Sequence, residues 1–115
     1  MCATLRDLAR VGQWLIESPT AWLEDIERNG DRAAWDAGSF TAYFPGLPIR
    51  YRSKWYVVDG PSPLVFAWGI HGQHLFVDRR AGLVIAKFSS QAVPVDVERM
   101  ALTLRAVEDL RKRLA

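Results

Sequence analysis

The sequence predicts an α+β fold: two N-terminal helices, an antiparallel β-meander of three to four strands, and a C-terminal helix packed on the sheet. Three observations carry this expectation. Apolar residues recur at helical spacing near both ends of the chain. Aromatic and β-branched runs fill the stretch from Tyr51 to Phe88. The connections between those runs are too short for parallel neighbours, which need a crossover of about a dozen residues. The chain has 115 residues, half of them apolar and 24% charged, which is the composition of one globular domain over residues 1–115 and not of a disordered chain.

The first helix starts at Thr4, whose hydroxyl can cap the first turn with Asp7 three residues on. Leu5, Leu8, Val11, Leu15 and Ile16 then form its apolar stripe. Ser18-Pro19-Thr20 breaks it, because a proline disfavours helix for the residue before it. Thr20 caps a second helix carrying Trp22, Leu23 and Ile26, which Asn29-Gly30 stops. From Asp31 to Arg50 no period survives among Trp35, Phe40, Tyr43 and Phe44, and Gly38, Pro45, Gly46 and Pro48 punctuate the stretch. It reads as a long aromatic loop.

Strand signals begin at Tyr51. Trp55–Val58, Leu64–Trp68, His74–Val77 and Leu83–Phe88 are separated by turn sequences such as Asp59-Gly60-Pro61 and Asp78-Arg79-Arg80-Ala81-Gly82. After Pro94, Asp96 caps the last helix, with Val97, Met100, Ala101, Leu104, Val107 and Leu114 on its apolar face. Arg105, Glu108, Asp109, Arg111 and Arg113 take the solvent side.

Most functional classes find no support in the residues. Fifteen basic against 13 acidic residues, scattered along the chain, give no basic stripe for nucleic acid. No apolar run approaches the roughly 20 residues that cross a bilayer. The N-terminus shows no basic stretch followed by an apolar core, so a cytoplasmic setting is expected. Cys2, the one cysteine, can form no internal disulfide. His71 and His74 flank a strand-to-strand turn with no Cys or carboxylate close by, so neither a metal site nor a cofactor is expected. Ser89-Ser90 has no base in sequence reach and reads as a strand end.

The segment Gly69-Ile70-His71-Gly72-Gln73 stands apart. Two glycines at the mouth of a strand let a ligand approach the backbone, and amides freed from the ladder there could form an oxyanion hole. A tight hairpin with glycine at positive φ explains the same residues.

Four motifs in order add a resemblance. Thr4-Leu5-Arg6-Asp7-Leu8-Ala9-Arg10-Val11-Gly12, Tyr51-Arg52-Ser53-Lys54-Trp55-Tyr56, Gly69-Ile70-His71-Gly72-Gln73 and Val84-Ile85-Ala86-Lys87-Phe88-Ser89-Ser90, with the terminal helix, span essentially the whole chain. Together they resemble the carboxyl-terminal part of β-lactamase-like serine hydrolases. Within that group the chain is most similar to the 6-aminohexanoate-dimer (nylon oligomer) hydrolases, relatives of class C β-lactamases and penicillin-binding proteins.

The resemblance implies a longer enzyme that cleaves amides or esters with a Ser-x-x-Lys nucleophile. No serine here is followed three residues later by lysine, so the nucleophile lies elsewhere and this chain alone is expected to be inactive. The resemblance aligns Trp68-Gly69-Ile70 with the Lys-Thr-Gly-like strand, without its lysine, and His71-Gly72 is the other placement. It makes the Ile70 amide the oxyanion donor beside Gly69, with Trp68, His71, Gly72 and Gln73 on the substrate side. Tyr51-Arg52-Ser53 echoes the family's tyrosine motif but matches a core strand. The implied partners are a small amide or ester substrate and the missing N-terminal half, or a second copy paired through an exposed sheet edge. The rival reading is a non-enzymatic binding or assembly module in which the Gly69–Gln73 turn and the aromatic loop hold a ligand.

Overall fold

The computed structural model describes residues 2–18 and 20–114. Its centre is a five-stranded antiparallel sheet in which each strand pairs with its sequence neighbour: β1 (Ile49–Arg52), β2 (Trp55–Val58), β3 (Leu64–Gly69), β4 (Gln73–Asp78) and β5 (Leu83–Lys87). Three α-helices precede it, α1 (Leu5–Glu17), α2 (Ala21–Asn29) and α3 (Arg32–Ala37), and α4 (Val97–Leu114) closes the chain. The α+β meander predicted from the sequence is therefore the fold.

Two details of that prediction are corrected. The sheet has five strands, not three to four, because Ile49–Arg52 forms an edge strand whose arginines conceal it. Arg50 reaches Asp59 (Nε to Oδ1, 2.9 Å) and the Glu27 carbonyl, and Arg52 pairs with Asp25. The stretch read as a loop holds α3 and a 3₁₀ turn at Ser39–Tyr43. Six residues are too few to display a helical period, but Asp31 caps them by accepting from the Ala34 amide (3.0 Å). The break expected at Pro19 lies outside the described residues; α1 ends at Glu17, and the Ser18 amide donates to the Trp14 carbonyl (2.9 Å).

Strand alternation sorts the core into two layers. On one face, Tyr56, Leu64, Phe66, Trp68, Phe76 and Ile85 pack with Trp35 and Phe44 from the α3 region and with Met100, Leu104 and Val107 of α4. On the other, Val57, Val65, Leu75, Val77, Val84 and Ala86 pack under Leu8, Leu15 and Ile16 of α1 and Leu23 and Ile26 of α2. The central strands are buried on both faces, as the continuous apolar runs of β3 and β4 require.

Helix α1 is capped as its sequence demands. Thr4 Oγ1 accepts from the Asp7 amide (3.1 Å), and Asp7 Oδ2 accepts from the Thr4 amide (3.4 Å). Its buried line differs from the expected stripe, since Leu5 and Val11 are exposed and Gly12 is buried. A side chain at Gly12 would meet Val84: an added Cβ lies 2.5 Å from Val84 Cγ1. Glycine here sets how closely α1 approaches β5.

On the opposite face of the sheet, α4 is anchored by charge. Arg111, expected on the solvent face, turns inward, and its Nε donates to Asp78 Oδ2 (2.9 Å) while Nη2 reaches the Ser62 carbonyl. Asp78 is 3% exposed and also accepts from Ser62 Oγ (2.6 Å) and the Ala81 amide (3.0 Å). Burial pushes its pKa up, but the bonds from Ser62, Ala81 and Arg111 outweigh that and hold it below the ordinary carboxylate value.

Gly12→Ala is expected to lower stability by about 1–2 kcal/mol in urea unfolding, overpacking exceeding the gain in helix propensity. In a Val84→Ala background the same change should be neutral or stabilising. Arg111→Ala should cost about 2–4 kcal/mol at neutral pH, because it strips a buried carboxylate of its cation. That deficit should shrink in acid titration as Asp78 takes up a proton.

Candidate functional site

The site residues read from the sequence cluster at the β3–β4 turn. The ladder closes with the pairs Trp68–His74 and Gly69–Gln73, so Ile70, His71 and Gly72 lie beyond it in a 3₁₀ turn. His71 has φ 59° and Gly72 φ 82°. Two successive left-handed residues make the tight reversal that the two glycines announced. The Ile70 side chain is 63% exposed.

The turn is clasped from behind by the segment after β5. The Gln73 side chain bonds Ser89 on both sides, its Oε1 accepting from the Ser89 amide (3.0 Å) and its Nε2 donating to the Ser89 carbonyl (2.6 Å). Nε2 also donates to the His71 carbonyl (3.1 Å). The His71 amide donates to the Pro94 carbonyl (2.9 Å), and its Nδ1 donates to the Gln91 carbonyl (2.9 Å). A Cβ on Gly72 would sit 2.9 Å from Ser89 Cβ. Gly72 is thus required by its φ and by the closeness of Ser89.

Ser89, Gln91 and Pro94 are contributors that sequence reasoning missed as partners of the turn. They lie 16 or more residues from the groups they hold, and no local pattern marks the pairing.

Beneath the turn, Trp68, Gly72, His74, Gln91, Asp96 and Met100 surround a cavity of about 10 Å³, room for about one water. His74 is 3% exposed and stacks on Phe76 (5.3 Å, 18°), and among the described residues neither ring nitrogen has a hydrogen-bond partner. Burial, and then the charge of Lys87 across the β4–β5 pair, push its pKa down from 6.5 to about 4. Lys87 itself is lowered by burial and then by Arg99, and its Nζ lies 3.3 Å from Thr103 Oγ1. His71 and His74 therefore face different surroundings, one in the turn and one inside the core. Among the described residues no group of three or more His, Cys, Asp or Glu side chains could hold a metal ion.

No family model matches the chain. The 6-aminohexanoate-dimer hydrolase of Paenarthrobacter ureafaciens is 35% identical over 100 residues, covering 79% of this chain and 25% of that protein. The two proteins are distant relatives. This chain spans about a quarter of the relative's length. No helix among the described residues is long and apolar enough to cross a membrane.

A larger hollow of about 410 Å³ lies on the aromatic face of the sheet, lined by Asp31, Ala34, Trp35, Phe40, Tyr51 and Tyr56 together with Gly38. Two of its rings pack on Trp68 of β3, Phe40 at 6.3 Å and Tyr56 at 6.0 Å. The density of aromatic residues between Trp35 and Phe44 was the sequence signal for it.

The folded pKa of His74 lies below its ordinary value, so the unfolded chain takes the proton first. Its stabilising effect is complete above about pH 6.5 and is lost as pH falls toward 4. Chemical denaturation across that range should show a loss of roughly 2–3 kcal/mol, and His74→Phe should abolish most of it. An unchanged profile in the variant would show that another group causes the loss.

Proposed function

We propose that this chain is the oxyanion-binding part of a serine hydrolase that cleaves small amides or esters, with 6-aminohexanoate oligomers as the substrate class. The observation that carries the reading is the 35% identity to the 6-aminohexanoate-dimer hydrolase. It is supported by a turn that stands outside the ladder at the position the resemblance assigns to the oxyanion donor.

In this mechanism a serine hydroxyl from the part of the enzyme outside these residues attacks the acyl carbon. Its proton passes to a neighbouring base, and the carbonyl oxygen becomes an oxyanion. The Ile70 amide donates to that oxygen from a backbone position set in advance, so little reorganisation accompanies the developing charge. Collapse of the tetrahedral intermediate expels the amine or alcohol and leaves an acyl-enzyme, which water then hydrolyses. Gly69 lets the acyl group approach the backbone, and Trp68, His71, Gly72 and Gln73 form the substrate side.

The clasp on Gln73 and His71 supports this role because a donor amide works only if it does not wander. The nucleophile-bearing remainder pairs with the open edge of β5, which has β4 as its single strand neighbour among the described residues. Without that remainder the chain is inactive.

The purified chain is expected to show no turnover of p-nitrophenyl acetate or nitrocefin. Substituted for the matching quarter of the Paenarthrobacter ureafaciens relative, it should support hydrolysis of the 6-aminohexanoate dimer. Ile70→Pro, which deletes the donor N–H, should then lower kcat by about 10²–10³-fold. A folded chimera whose kcat is indifferent to Ile70→Pro would defeat the assignment.

A further inference from the structure

We propose that the aromatic hollow is a binding site for a small organic monocation, an alkylammonium group. Three rings meet there at steep angles: Tyr51 and Tyr56 lie 4.8 Å apart at 55°, and Trp35 meets Tyr56 at 5.6 Å and 86°. Tyr56 gives one face to Phe66 (5.0 Å, 17°) and Trp35 is buried, so the ring surface open to a cation is that of Tyr51 and Phe40. Phe40, 54% exposed, and Tyr51, 43% exposed, border the same space and leave apolar ring surface uncovered. The volume of about 410 Å³ lies within the range of small-molecule sites.

The charge at its rim selects the sign of the ligand. Asp31 lines the hollow, and its Oδ1 accepts from the Ala34 amide as the cap of α3. Among the described residues Asp31 forms no ion pair, whereas the neighbouring Arg32 turns to Asp59 (3.9 Å). A carboxylate beside electron-rich ring faces, with no cation of its own, disfavours an anion and holds a cation by two additive attractions. Among the described residues no Lys or Arg lines the hollow, so no internal cation competes for it there.

The strand register places the hollow near the reaction turn. Tyr51 opposes Tyr56, Tyr56 opposes Phe66, and Trp68 lies two residues further on the same face, immediately before Gly69 and Ile70. An amide whose amine end is protonated is the substrate that would use both places. That substrate class rests on the acyl-transfer reading; binding of the cation itself does not.

The test is a titration of the intact chain, at pH 7 and low salt, with hexylammonium, 1-hexanol and hexanoate, followed in ¹H–¹⁵N spectra. Hexylammonium should give saturable shifts at the Trp35 indole and Ala34 amide, with affinity about tenfold above 1-hexanol and no saturation by hexanoate. The Trp22 indole, which meets Trp55 outside the hollow, should stay still. Asp31→Asn, which keeps a capping side chain, should weaken hexylammonium by about three- to tenfold, and added salt should erase that difference. Tyr51→Leu, at an exposed site, should weaken it comparably while leaving the fold intact. Equal affinity for 1-hexanol, absence of saturable shifts at Trp35, or selective binding that survives both substitutions would each overturn the proposal. None of these readouts requires hydrolysis, so failure of the oxyanion assignment would leave them unchanged.

Discussion

The constraint on which the molecule turns is that β3 and β4 must be dry on both sides. Val65, Phe66, Phe76 and Val77 are at most 1% exposed, and successive residues point to opposite faces. A sheet with two apolar faces needs two covers, and the chain supplies them from opposite ends. Helices α1 and α2 lie over the Val65–Leu75–Val77 side. Helix α4 and the aromatic segment after α3 lie over the Phe66–Phe76 side. The close approach at Gly12 and the inward Arg111 are local consequences, one bringing a cover near and the other fastening it.

That two-sided burial also produces the candidate site. A strand pair held rigidly along six register positions ends abruptly at Gly69–Gln73, and the next three residues reverse the chain in a conformation that few residues adopt. The turn would be soft by itself. The Gln73 amide removes that freedom by bonding Ser89 much as a neighbouring strand would, and the segment from Gln91 to Pro94 holds His71. The turn thus ends a rigid strand pair and is braced from behind by the segment after β5.

The meander was legible because its signals are local. Aromatic and β-branched runs, Asp-Gly and Gly-flanked turns and capping residues all act within a few positions, and Thr4, Thr20 and Asp96 cap as their sequences suggest. Helix α3 was not legible, since one and a half turns cannot show a period and its single buried anchor, Trp35, looks like any loop aromatic. Arg111 was misplaced for a different reason: a helical wheel assigns charge to solvent, and only the carboxylate of Asp78, 33 residues away, reverses that. The turn at Gly69–Gln73 was found from its glycines, whereas the clasp that stiffens it depends on a contact between Gln73 and Ser89 that no neighbouring residue foretells.

The ordering of the sheet has a kinetic meaning. Every strand adjoins the one made just before it, so each pairing closes a small loop at little entropic cost. The contact of Gly12 with Val84 instead joins distant parts of the chain. During synthesis the hairpins can zip in succession, while α1, although made first, waits for β4 and β5 to emerge before it has its surface to cover. For that interval one flank of the nascent sheet is bare, which is when this chain is most exposed to the wrong neighbours.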